Sequence, residues 1–164
     1  MNHHLFVGVL GHRSSGKSTT WDDLFESTVQ TGKNLRPLYL NETEYVDVFL
    51  ISGSPEEREM DVADILKEQK PSIVLCSVQY RPDVVETFDF FKENEYDLFV
   101  QWLNPGYEDE AETAGFDYLG LTNWLLASGA TLSMRNGKAK TDTRVQEIVD
   151  FIYGWAESRG LINR

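Results

Sequence analysis

Gly11-His12-Arg13-Ser14-Ser15-Gly16-Lys17-Ser18 is the stretch of this chain whose residue types and spacing point most directly to chemistry. It fits G-x-x-x-x-G-K-[ST] at every fixed position, a pattern that cradles phosphate groups. Gly11 and Gly16 let the backbone take conformations closed to other residues, so that successive N–H groups converge on one concavity. A helix starting near Lys17 would aim the positive end of its dipole at the same point. Lys17 supplies a mobile charge for the β- and γ-phosphates, and the Ser18 hydroxyl is a hard oxygen ligand for Mg²⁺. Thr19 can donate to the α-phosphate, and Arg13, Ser14 and Ser15 complete the candidate binding loop. A side chain such as Arg13 normally points outward from such a loop, with stabilisation of a transferring phosphate as its alternative role.

The loop needs a buried strand before it and a helix after it, and the sequence offers both. Leu5–Leu10 is a continuous apolar run, and Lys17–Phe25 places Trp21, Leu24 and Phe25 at helical spacing. Residues Ser27–Arg36 lack periodicity and read as a loop. Leu38–Leu40 and Tyr45–Ser52 read as strands of an antiparallel hairpin. Ser54-Pro55-Glu56-Glu57 signals a helix start, with Ser54 as cap and Glu57 closing a capping box. The expected helix continues to about Gln69 with Met60, Ala63 and Leu66 inward.

Further strands are expected at Ile73–Val78, Leu98–Leu103 and Thr131–Met134. Helices are expected from Pro82 to Asn94, over Tyr118–Ala127, and from near Thr143 to before Gly160. The acidic stretch within Asn104–Gly115 reads as a loop. Trp21, Trp102, Trp124 and Trp155 fall on apolar faces and read as core. The alternation predicts one domain over residues 1–164, a three-layer α/β/α P-loop domain whose mostly parallel sheet carries one antiparallel strand.

Composition narrows the partners. The chain has 164 residues, 41% hydrophobic and 12% aromatic, which suits one globular core. Its net charge is −12, and its 15 basic residues are scattered rather than clustered, which argues against nucleic acid and against an anionic membrane surface. No apolar run approaches the roughly 20 residues of a membrane span, and the N-terminus lacks the basic start and cleavage site of a signal peptide. Cys76, the single cysteine, lies in an apolar run and reads as core. The expected compartment is cytoplasmic. The His3–His4 pair and the carboxylates Glu42, Glu44 and Asp47 read as solvated surface rather than metal ligands.

The P-loop (Walker A) pattern and the order of elements around it resemble the small-GTPase (Ras-like) branch of the P-loop NTPases. P-loop, loop, hairpin and a turn after the hairpin's second strand follow in that family's order, and Gly16-Lys17-Ser18-Thr19-Thr20-Trp21 is similar to its bacterial members. The resemblance implies binding of Mg²⁺ with GTP or ATP, slow hydrolysis, and two switch segments, Ser27–Arg36 and Ser52–Arg58, that present themselves to a protein effector. It implies Thr31 as a Mg²⁺ ligand beside Ser18, Gly53 as a γ-phosphate contact through its N–H, and Asn104 as a reader of the base. The chain departs from the family where its D-x-x-G motif would stand, because Val48–Ser52 ends without Asp. It departs again at N-K-x-D, where Asn104 is followed by Pro105-Gly106-Tyr107. Ser54, at the place of a water-positioning Gln, reads as a helix cap. Lys33 and Arg36 read as solvated loop charges.

Two other readings stay open from the sequence. One is an ATP-dependent small-molecule or nucleotide kinase, against which stand the missing Arg-rich lid and the missing strand-end Asp. The other is a nucleotide-binding interaction module with negligible turnover.

Overall fold

The computed structural model describes residues 1–105 and 117–164. The elements run β1 (His4–Gly11), α1 (Lys17–Phe25), β2 (Arg36–Tyr39), β3 (Tyr45–Ile51), α2 (Pro55–Arg58) and α3 (Val62–Leu66). They continue with β4 (Ile73–Gln79), α4 (Val84–Glu93), β5 (Tyr96–Leu103), α5 (Leu121–Ala127), β6 (Thr131–Arg135) and α6 (Asp142–Glu157). The six strands form one sheet in the order β2-β3-β4-β1-β5-β6, parallel throughout except for the β2–β3 pair.

Alternation along β1 explains the three layers. Leu5, Val7 and Val9 face one side, packing with Trp21 and Leu24 of α1 and with Ile148, Ile152 and Trp155 of α6. Phe6 and Leu10 face the other, packing with Ile65 of α3, Val84, Phe88 and Phe91 of α4, and Leu121 and Leu125 of α5. Helix α1 therefore leaves β1 toward one face, while α4 and α5 follow the neighbouring β4 and β5 on the opposite face. Diverging connections open a crevice at the carboxyl ends of such strands, where open α/β sheets bind ligands. The Trp21 indole, wholly buried, donates to Ser77 Oγ at 2.8 Å and pins α1 to β4.

The three-layer sheet with its single antiparallel pair agrees with the sequence-based expectation. Trp21, Trp102 and Trp155 are buried, as is Cys76. Three local differences have physical causes. The single helix expected from Ser54 to Gln69 is two short ones, separated by Glu59 in the left-handed region (φ 51). Leu66 is buried as expected, but Met60 and Ala63 are exposed, and Val62 and Ile65 join Leu66 in the inward stripe, so packing overrides helical spacing here. Helix α5 starts at Leu121 rather than Tyr118, because the Asp117 carboxylate accepts the N–H groups of Leu121 and Thr122, both at 2.9 Å. Helix α6 starts at Asp142 with no side-chain cap, and Arg144 in its first turn is buried. The acidic loop expected within Asn104–Gly115 lies largely outside the described residues.

Among the described residues, no helix is long and apolar enough to cross a membrane.

Candidate phosphate-binding site

Between β1 and α1 the chain turns through Ser14 at φ 64 and Gly16 at φ 107. The second value is one that side chains resist, which is why glycine stands there. Helix α1 then begins without a capping side chain and with no acidic residue in its first turn. A helix N-terminus of this kind favours an anion.

The loop borders a cleft of about 510 Å³ lined by Arg13, Ser14, Gly16, Lys17, Ser18 and Thr19 on one side. Ser52, Gly53, Ser54 and Glu57 line the other side, and Gly137 and Lys138 close one edge. That volume falls within the range of small-molecule sites. Lys17 is buried to 7% exposure, and its Nζ donates to the carbonyl oxygens of Gly11 (3.2 Å) and His12 (2.8 Å). Burial lowers the affinity of its ammonium for the proton, opposed by the charges of Glu57 and then Glu56. Ser18 and Thr19 are exposed to the cleft.

Below the loop, Ser15 is buried, and its Oγ has no hydrogen-bond partner among the described residues. Gly11 accommodates it: a Cβ at Gly11 would stand 2.2 Å from Ser15 Oγ.

The far wall reaches the loop by a specific route. Strand β3 ends at Ile51, opposite Cys76, whereas β4 runs on to Gln79 beside Gly11. The segment after β3 folds over the protruding end of β4. Glu56 turns inward there, its Oε1 accepting from Gln79 N at 2.8 Å and its Oε2 from Thr87 Oγ1 at 3.0 Å. Burial pushes this carboxyl up to about 7, against the pull of those hydrogen bonds. Glu56, in the first turn of α2, is thus a buried tether, while Ser54 caps α2 as expected by accepting from Glu57 N at 3.2 Å.

Thr31 and Asn104 lie outside the cleft lining. Thr31 Oγ1 accepts from Ser52 N (3.0 Å) and Gly53 N (3.3 Å), and Gly32 N donates to Leu50 O. The first loop is thereby laid along the end of β3, and the Gly53 N–H is engaged by a hydroxyl of the chain itself. Asn104 Nδ2 donates to Ser15 O at 3.2 Å, and its Oδ1 accepts from Gly137 N at 2.8 Å. Both ends of the amide are engaged in joining the Gly11–Ser18 loop to the β6–α6 turn. Lys33 is exposed, and Arg36 donates to Gln30 O and lies over the Phe25 ring.

Four residues at or behind the site escape sequence reasoning. Glu57, read as a capping-box member, lines the cleft with Lys17 and Ser18. Glu56 is the tether described above. Lys138 donates to Ser14 O at 2.5 Å. Arg144, 2% exposed, donates to Thr20 Oγ1, Asn136 O and Ala139 O, holding the β6–α6 turn against the start of α1. Only the Asn136-Gly137 turn signal preceding Lys138 offered a hint of this assembly.

For a divalent cation the cleft offers the Ser18 hydroxyl and the Glu57 carboxylate. Among the described residues, no group of three or more His, Cys, Asp and Glu side chains could hold a metal by itself. Such a set suits Mg²⁺ carried in by a polyphosphate, since Mg²⁺ keeps waters and is held through few protein ligands. Glu44 is committed elsewhere, to Asn41, Tyr153 and Arg164.

Compared with known proteins, the chain matches no family model and no curated protein sequence.

Proposed function

We propose that this protein binds Mg²⁺ with a nucleoside triphosphate in the Gly11–Ser18 cleft, hydrolyses it slowly, and acts as a switch through Ser27–Arg36 and Ser52–Arg58. The observation that carries the reading is the buried ammonium of Lys17 at the uncapped N-terminus of α1, facing Ser52–Ser54 across the cleft. In a chain of net charge −12, that is the specific local device an anion needs.

The residues divide the work. The N–H groups at the start of α1 and Lys17 hold and orient phosphates, and Lys17 exchanges its two carbonyl acceptors for phosphate oxygens as the ligand enters. Ser18 and Glu57 are the side chains that would hold Mg²⁺, whose chemistry is to neutralise charge on the β- and γ-oxygens. Switching follows from Thr31. A phosphate oxygen that takes the Gly53 N–H competes with the Thr31 hydroxyl now bound to it, so arrival of a γ-phosphate loosens the first loop from the end of β3. Because the Asn104 amide is engaged at both ends within the chain, the reading commits to the triphosphate and makes no choice between GTP and ATP.

Limited trypsin digestion tests the switch, since Lys33 in the first segment and Arg58 at the end of α2 in the second are both exposed. Cleavage at these two sites should change with Mg²⁺ and a non-hydrolysable triphosphate and stay unaltered with the diphosphate. The end of β3, where Leu50-Ile51 runs into Ser52 with no carboxylate, favours a second reading, a binding module with negligible turnover. Identical digestion in both nucleotide states, together with no phosphate release, would establish that second reading.

A further inference from the structure

Lys138 lies far from the phosphate loop in sequence, on the turn between β6 and α6, yet it lines the same cleft as Lys17 and Ser18. We propose that Lys138 is a second phosphate-binding cation, delivered to the polyphosphate chain by that turn; this rests on the reading of the cleft as a triphosphate site.

The turn is held by more than its own backbone. Gly137 N donates to Asn104 Oδ1, and the buried Arg144 guanidinium donates to the carbonyl oxygens of Asn136 (3.4 Å) and Ala139 (3.2 Å). Asn136 Oδ1 accepts from Lys138 N at 2.9 Å, closing the turn locally. Gly137 packs directly on the loop, where a Cβ would stand 2.0 Å from Ser15 O. Anchors of this kind fix the backbone of the turn, from which the Lys138 side chain reaches the cleft edge. The side chain itself is exposed, and among the described residues its Nζ meets only the neutral carbonyl of Ser14.

Among the described residues, no carboxylate pairs with that ammonium, although acidic side chains outnumber basic ones 27 to 15 in the chain. An ammonium has three donors and one of them is used here, so a phosphate oxygen can be taken without giving up the Ser14 contact. Ser14 is in the binding loop, which puts the remaining donors beside the ligand rather than behind it. A point charge on a flexible stem recognises phosphate without reading base or sugar.

The test compares wild type, Lys138→Gln and Lys138→Arg, with Lys17→Ala as control, by calorimetric titration with Mg²⁺·ATP and with inorganic tripolyphosphate. Lys138→Gln should weaken both ligands alike, roughly ten- to hundredfold, with a shallower dependence on salt and an unchanged melting temperature. Lys138→Arg should restore most of the affinity. Unchanged affinity in Lys138→Gln, while Lys17→Ala abolishes binding, overturns the proposal and leaves the triphosphate reading intact. A loss confined to ATP and absent for tripolyphosphate also overturns it, because the side chain would then read the nucleoside. Failure of the wild type to bind either ligand removes the triphosphate reading, and this proposal with it.

Discussion

Gly137 and Ser15 touch backbone to backbone: a Cβ added to Gly137 would stand 2.0 Å from the Ser15 carbonyl oxygen. Neither partner in that contact is a flexible side-chain end, so a larger residue forces the β6–α6 turn off the Gly11–Ser18 loop. Gly137→Ala is expected to destabilise the fold by about 1–3 kcal/mol. It should also weaken triphosphate binding, by displacing both the loop and Lys138. Urea denaturation and nucleotide titration of the same variant check the two effects together.

Asn104 joins the same two pieces of backbone through its amide, with Nδ2 on Ser15 O and Oδ1 on Gly137 N. Asn104→Ala leaves a backbone donor and acceptor unpaired at a cost of about 1–3 kcal/mol. Because this contact is with protein and not with a base, the variant should lose affinity for GTP and ATP by the same factor. Parallel titrations with the two nucleotides measure that ratio, and a selective loss of GTP would show instead that Asn104 reads guanine.

Glu56 makes stability depend on pH in a direction opposite to an ordinary paired carboxylate. Its folded value of about 7 stands above the ordinary 4.5. Between those values the folded protein keeps a proton that the unfolded chain releases, so the contribution is fully present below about pH 4.5 and is lost as pH rises through 7. The effect amounts to at most roughly 3 kcal/mol. Glu56→Gln keeps an oxygen for the Gln79 N–H and carries no charge. It should flatten the pH dependence across that window and be the more stable form at pH 8, as read by urea denaturation at pH 5, 7 and 8.

How far the sequence spoke for itself differs between neighbouring parts of the site. Strand β1, the loop and α1 were legible because their signals are local: a continuous apolar run, fixed glycines, and Trp21 and Leu24 one turn apart. The antiparallel hairpin was legible from its short polar turn. The strand order was not, because nothing local says that β4 lies between β1 and β3. That placement leaves the end of β4 for Glu56 to cover, so a glutamate patterned like any helix-start acid becomes buried.

Arg144 was hidden for a similar reason. Helical spacing puts it in line with Ile148 and Ile152 on the buried face of α6, but an arginine there reads as surface from its type, and its partner Thr20 is supplied only by the packing of α1 against α6. Thr31 shows the reverse case: the sequence singled it out as a metal ligand, and the structure finds its hydroxyl holding the Ser52 and Gly53 N–H groups. Its two positions, on that backbone or released from it, are the distinction on which the proposed switch depends.

The central claim is that the Lys17 cleft takes a triphosphate, and titration calorimetry of wild type and Lys17→Ala with Mg²⁺·GTP and Mg²⁺·ATP tests it most directly. The account predicts saturable binding of at least one nucleotide to the wild type and a loss of roughly a hundredfold or more in Lys17→Ala, with both proteins folded by circular dichroism. Absence of binding to the folded wild type, or equal affinity in Lys17→Ala, would contradict it.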